Sequence, residues 1–206
     1  MMSGDLFSQL RNFKKDELVT VPTIVTSASG KKEKVVNGVV VDDPTLNTGD
    51  QKRFIIDAAP DEGLHEVTKG LFIGSQDAAA NHDGLKAHGV THILNVACYV
   101  KNFFPDEFVY KAEPLYDEPS FRITPYFDPC ADFIHNALEG GGSVLCHCNA
   151  GISRSSSLIL AYLMKWRNLS LVDGLEMVRA VRPFARPNVG FMDALKEYEK
   201  SLAGGV

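Results

Sequence analysis

The sequence predicts an α/β fold, with a mainly parallel central sheet flanked by helices, and three observations carry that expectation. From Leu64 onward short apolar runs look like buried strands, longer helical patterns alternate with them, and the C-terminal half becomes helical. Strands covered on both faces of a parallel sheet read as continuous apolar stretches. Leu71-Phe72-Ile73, His92 to Val96, Phe108 to Ala112 and Ser143 to Cys146 have that character.

Four helices are expected between and after these strands. Thr124 caps the first, with Pro125 at its first position, Phe127, Ile134 and Leu138 on one face, and Gly140-Gly141-Gly142 as its stop. The second, Ser155 to Arg167, is apolar almost all round between Leu158 and Met164, as a central buried helix is. Ser170 and Asp173 resemble a capping box for a third, which turns Leu175, Val178 and Val181 inward. Asn188 precedes a fourth, whose Phe191, Leu195, Tyr198 and Leu202 share a face.

Two segments are expected: an N-terminal extension, residues 1–62, and a domain over 63–206. The extension is polar and weakly patterned. Leu6, Leu10 and Phe13 lie at helical spacing within it, and Val19-Thr20-Val21 with Val35 to Val41 suit a hairpin around Ser29-Gly30.

The chain has 206 residues, 45% hydrophobic and 23% charged, which suits a soluble domain with a sizeable core. Its 21 Lys+Arg against 26 Asp+Glu give a net charge of -5, against a nucleic-acid protein that works by neutralising phosphates. Apolar runs such as Leu158 to Met164 fall far short of a membrane span, so no membrane partner is expected. Met1 to Lys15 lacks the apolar stretch of a secretory signal. Four cysteines without such a signal indicate a reducing compartment, the cytoplasm and also the nucleus, where a thiol is buried or reactive rather than disulfide-bonded.

The chemistry concentrates in Val144-Leu145-Cys146-His147-Cys148-Asn149-Ala150-Gly151-Ile152-Ser153-Arg154-Ser155-Ser156, which runs from a buried strand through a short loop into the buried helix. Such a junction points several backbone N–H groups at one spot, and the helix start adds about half a positive charge. Gly151 supplies the unusual backbone that an anion nest needs, and Arg154 adds a planar fork suited to two phosphate oxygens. A thiol at Cys148, on the floor of that cradle, feels the same field, which favours its nucleophilic thiolate form. Metal ligation by Cys146-His147-Cys148 is set aside, and no metal or cofactor is expected. Adjacent strand side chains point to opposite faces, and no second Cys/His pair has zinc-ligand spacing. Cys146 and Cys130 read as small core residues.

His147 to Ser155 matches the His-Cys-x-x-Gly-x-x-Arg-Ser/Thr signature, and so resembles the cysteine-dependent protein tyrosine phosphatase superfamily. The resemblance runs from about Leu64 to Leu202 and is closest to the small, atypical dual-specificity phosphatases. Gly74 to Ala79, Thr91 to Ala97 and Pro187 to Met192 carry it outside the loop. It implies a phosphatase-like fold and a phosphate loop made of Cys148, Asn149, Ala150, Gly151, Ile152, Ser153 and Arg154. It implies hydrolysis of phosphotyrosine, phosphoserine and phosphothreonine through a cysteinyl-phosphate, with Cys148 as nucleophile.

The leaving oxygen needs a proton from a carboxylic acid, and Leu115-Tyr116-Asp117-Glu118-Pro119 precedes the Thr124 helix as a non-helical loop. The resemblance selects Asp117 over its neighbour Glu118. It also assigns Ser155 to stabilising the departing Cys148 thiolate, His147 to ordering the loop from below, and Asn95 to bonding it. Ser155 and Asn188 could each instead be helix caps. Cys98 lies close enough in sequence to Asn95 to suggest a disulfide with oxidised Cys148.

Asn149, Ala150, Ile152 and Ser153 are uncharged, whereas the relatives acting on inositol phospholipids carry lysines in this loop; phosphoprotein substrates are therefore implied. Stress-activated MAP kinase pathway members are the targets the resemblance suggests. The competing expectation is a phosphoprotein-binding scaffold with little turnover, which the presence of Cys148, Arg154 and Asp117 disfavours. Lys14-Lys15 and Lys31-Lys32, ahead of apolar pairs, read as solvated turns.

Overall fold

The computed structural model describes residues 60–204, together with three strands nearer the N-terminus. Those strands, β1 (Thr23–Thr26), β2 (Lys32–Val36) and β3 (Val39–Val41), form an antiparallel sheet in the order β1-β2-β3. The expected hairpin around Ser29-Gly30 corresponds to the β1–β2 pair, with Thr26 opposite Lys32. The single strand expected over Val35 to Val41 is instead two, because Val36 pairs with Val39 and leaves only Asn37-Gly38 between them. That dipeptide is a strong hairpin signal. The helical spacing of Leu6, Leu10 and Phe13, and the Val19 to Val21 run, lie outside the described residues.

Contacts divide the chain into two units, residues 1–57 and 58–206. In the larger, five strands order as β4-β5-β8-β6-β7: β4 (His65–Thr68), β5 (Leu71–Gly74), β6 (His92–Ala97), β7 (Val109–Leu115) and β8 (Val144–His147). Only β4 runs antiparallel to its neighbour. The four expected strands are present; β4, four residues of which one is buried, lacked an apolar run to announce it. Alternation splits the sheet's side chains into two cores. Leu71, Ile73, Leu94, Val96, Val144 and Cys146 face one, and Phe72, Ile93 and Leu145 the other.

The second core is closed by two short helices that apolar periodicity did not announce, α1 (Gln76–Ala80) and α2 (His82–Ala87). Their caps are local: Ser75 Oγ accepts from Asp77 N and Ala78 N, and Asn81 Oδ1 from Gly84 N. The first core is covered by α3 (Thr124–Glu139), α4 (Arg154–Arg167), α5 (Leu171–Val181) and α6 (Val189–Ala203). Helix α4 buries every residue from Arg154 to Met164, as its all-round apolarity predicted. Thr124 is not the cap of α3: Ile123 is, without a side-chain bond, and Thr124 and Pro125 occupy the first turn. Ile123 is buried, so apolar anchoring fixes this helix start in place of a hydroxyl. Ser170 does cap α5, accepting from Asp173 N at 3.1 Å and donating to its carboxylate at 2.7 Å.

Candidate active site

The β8–α4 junction places residues 148–153 as a loop whose carbonyls are held from outside. Gln76 N donates to Asn149 O at 3.0 Å, and Arg186 N to Ile152 O at 2.8 Å. Between them Arg182 Nη2 donates to Ala150 O and Nε to Gly151 O, both at 2.7 Å. A planar trans peptide points its N–H opposite to its C=O, so four carbonyls turned outward turn the amides of residues 150–153 inward. Gly151 N accordingly donates to Cys148 Sγ at 3.2 Å. Gly151 has φ +65°, and a Cβ there would sit 2.5 Å from Gly74 O, so both backbone and space require glycine.

Cys148 is buried on the floor of this loop, with Ser155 Oγ 3.4 Å from its sulfur. Ser155 is fully buried in the first turn of α4, yet it is Ser153 that precedes the helix, and Ser153 makes no cap bond; its hydroxyl is used elsewhere. Beneath the loop His147 is 1% exposed and its Nδ1 lies 3.3 Å from Cys148 O. Burial pushes the His147 imidazole down to about 4, so it is neutral at physiological pH. The other core cysteines are inert by the same effect: burial pushes Cys130 up to about 12 and Cys146 well above the ordinary thiol range.

Arg154 and Asp117 converge on the mouth. Arg154 Nη1 donates to Leu115 O at 3.1 Å, at the end of β7, and its Nε stands 3.5 Å from Asp117 Oδ2. That approach is an ion pair but not a hydrogen bond, which leaves the buried Nε without an acceptor. Asp117 is held on its other oxygen. Ser153 Oγ donates to Oδ1 at 2.7 Å and Asn188 Nδ2 at 2.9 Å. Glu118, the neighbouring alternative, is exposed like Asp117, and among the described residues no such side-chain bonds hold its carboxylate.

The structure thus brings together Cys148, Gly151, Ser153, Arg154, Ser155 and Asp117, with His147 below. Asn149, Ala150 and Ile152 contribute backbone; the Ile152 side chain is exposed. Asn95 does not bond the phosphate loop, contrary to expectation. Its Nδ2 donates to Val100 O and Asn102 Oδ1, and its Oδ1 accepts from Ala97 N. Both amide protons are therefore used by the loop that follows its own strand, although Asn95 stands opposite His147 in the sheet register. Cys98 is a free thiol that donates to Leu115 O, the carbonyl Arg154 also holds.

Sequence reasoning missed the Arg182 clamp. Arg182 is 4% exposed, and its Nη2 also pairs with Asp61, a residue of the segment set apart by composition. Nothing in the pattern Val181-Arg182-Pro183 distinguishes it from a solvated helix end. The second role of Asn188 was partly visible, since its capping position was.

An inward nest of amides over a buried thiol, with an arginine Nε lacking an acceptor at its edge, suits a tetrahedral oxyanion held beside that thiol. Known proteins agree with that geometry. The family model for the dual specificity phosphatase catalytic domain matches residues 71–201. The chain is 37% identical to dual specificity protein phosphatase 19 of Mus musculus over an alignment 207 positions long, gaps included, that covers 97% of this chain and 93% of that protein. It is 44% identical to dual specificity protein phosphatase 1B of Arabidopsis thaliana over 141 residues, 68% of this chain and 84% of that one. The crystal structure of human DUSP28 superposes with a TM-score of 0.67 at 33% identity, covering 71% of this chain and 97% of that one. The chain belongs to the dual specificity phosphatases, among their small atypical members. It is accordingly a protein phosphatase, a phosphoric monoester hydrolase with phosphoproteins as substrates.

Proposed function

We propose that the chain hydrolyses phosphotyrosine, phosphoserine and phosphothreonine through a cysteinyl-phosphate on Cys148, with stress-activated MAP kinase pathway proteins among its substrates. The observation that carries the mechanism is the Cys148 sulfur under inward amides, beside a buried Arg154 Nε that lacks an acceptor. The amides of the loop and the Arg154 fork bind the three non-bridging oxygens of the phosphate. The Cys148 thiolate attacks phosphorus opposite the ester oxygen; the S–P bond forms, the P–O bond breaks, and Asp117 protonates the leaving oxygen. In the second step Asp117 takes a proton from water, the water oxygen bonds to phosphorus, and the S–P bond breaks. The Ser155 hydroxyl, 3.4 Å from the sulfur, stabilises the departing thiolate. The kinase-pathway assignment is supported by family resemblance, and the uncharged phosphate loop supports phosphoprotein substrates in general.

The test is vanadate-sensitive hydrolysis of matched phosphotyrosine and phosphothreonine peptides by wild type and Cys148→Ser. Both peptides should be hydrolysed by wild type, and neither by the variant, which should still bind vanadate. Wild-type turnover in Cys148→Ser would overturn the nucleophile assignment. Extending the assay to doubly phosphorylated, stress-activated kinases tests the pathway; their resistance, with peptides still cleaved, would overturn that part alone.

A further inference from the structure

Among the described residues, half of the exposed large hydrophobic side chains lie in the phosphate loop or within two residues of Asp117, Arg182, Arg186, Asn188 or Cys98. They are Ile152 (38% exposed), Phe184 (76%), Val189 (70%), Tyr116 (49%) and Tyr99 (94%). A lone exposed hydrophobic residue is ordinary; a ring of them about a polar cup marks a surface made to be covered.

Their backbones are fastened to the site. The Arg186 N to Ile152 O bond sets the Phe184 loop beside the phosphate loop, and Asn188, next to Val189, holds Asp117. Tyr116 precedes Asp117, and Cys98, next to Tyr99, donates from Sγ to the carbonyl of Leu115, next to Tyr116. Tyr99 also has φ 62°, a left-handed backbone that an aromatic residue seldom adopts. Neither burial nor core packing accounts for it, since the side chain is almost wholly in solvent, and strain of this kind gathers at functional surfaces. On the Val189 side the surface dips into a cavity of about 250 Å³ against Leu175, Val189 and Met192, which Arg179, Arg186, Asp193 and Lys196 also line, with room for one large side chain.

We infer that these residues form an apolar collar, and that the preferred substrates are phosphoproteins whose phosphoresidue is flanked by large apolar side chains. The inference rests on the phosphatase reading above and adds to it the chemistry of the flanks. The cup binds the phosphate group that every candidate substrate shares, so discrimination among substrates falls to the rim. Glu118, beside Tyr116, adds negative charge there that disfavours acidic flanks.

The test compares two phosphotyrosine peptides, one with Leu and Phe beside the phosphoresidue and one with Ser and Asp, together with para-nitrophenyl phosphate, which is too small to reach the collar. Wild type should favour the apolar peptide by about tenfold in kcat/KM, the effect of covering one large side chain. Phe184→Ser combined with Tyr99→Asn, which tolerates the left-handed backbone, should bring the ratio to within about twofold of unity while leaving para-nitrophenyl phosphate turnover unchanged. Equal peptide kcat/KM in wild type with normal para-nitrophenyl phosphate turnover, or a ratio that survives in the double variant, overturns the collar. Failure of wild type to hydrolyse para-nitrophenyl phosphate overturns the phosphatase reading and the collar with it.

Discussion

Asn188 Nδ2 donates to Asp117 Oδ1 at 2.9 Å while Asn188 Oδ1 accepts from Phe191 N at 3.0 Å, so one side chain starts α6 and holds the carboxylate at the mouth of the cradle. The two roles are separable by substitution. Asn188→Ser keeps a capping oxygen but is too short to reach Asp117, so stability should stay within about 0.5 kcal/mol of wild type. Turnover of alkyl phosphates, which need the proton most, should fall by about tenfold, with para-nitrophenyl phosphate less affected. Asp117→Ala sets the limit at about 10²–10⁴-fold for the same substrates. Steady-state rates across a leaving-group series, with urea melts alongside, distinguish the outcomes; a uniform loss for all leaving groups would refute the positioning role.

Arg182 orients the phosphate loop from behind. Its three donated bonds go to Ala150 O, Gly151 O and Asp61, so removing the side chain leaves the buried Gly151 carbonyl and the part-buried Ala150 carbonyl unpaired. Arg182→Met should cost about 2–4 kcal/mol of stability. Because the released peptides are free to rotate, vanadate inhibition should weaken together with kcat/KM. Asp61→Asn keeps a hydrogen-bond acceptor for Arg182 and should produce a much smaller effect on both. Isothermal titration with vanadate is the check: unchanged affinity in a folded Arg182→Met protein would show that the amides are oriented without the clamp.

How far the sequence alone reached follows from which forces leave a local trace. Apolar runs revealed β5, β6 and β8 as buried strands and located β7, whose burial they overstated since Leu115 alone of its residues is buried, and the glycine and arginine spacing around Cys148 revealed the cradle, because both signals are contiguous in the chain. Asn95 went astray for the opposite reason. A strand-end asparagine can serve either of two adjacent loops, and only the three-dimensional path of residues 97–102 decides that both its protons go there. Arg182 and Asp61, 121 positions apart, carry no periodicity or motif that links them. Helices α1 and α2 are too short for a 3.6-residue repeat to register, although Ser75 and Asn81 are caps of the expected type.

His147 couples folding to pH. Burial lowers its imidazole to about 4 in the folded chain against 6.5 when unfolded. Between those values the unfolded state holds one more proton than the folded one, so stability rises with pH. The contribution is complete above about pH 6.5, is lost as pH falls toward 4, and saturates below that, with a span of about 3 kcal/mol. Urea denaturation at a series of pH values should show this slope in wild type and a flatter profile in His147→Gln. Identical slopes in the two proteins would mean that His147 is protonated in the folded state.

Gly190 joins the acid loop to α6. A Cβ at this position would lie only 1.9 Å from Pro119 O and 2.9 Å from Pro119 Cα, and both are backbone atoms that no side-chain rotation can remove. Helix propensity alone would favour alanine here by about 1 kcal/mol. The clash decides the sign instead: Gly190→Ala must push the Pro119 loop outward and carry Asp117, two residues away, with it. A displacement of about 1 Å at a proton donor can cost on the order of 100-fold in rate. The phosphate loop itself is held by Gln76, Arg182 and Arg186 and should not move, so kcat for alkyl phosphates should fall while vanadate inhibition stays at the wild-type level. The Asp117→Ala background supplies the control. There the additional Gly190→Ala change should have little further effect, because the group it displaces is already gone; a full additive loss would place its action somewhere other than the acid.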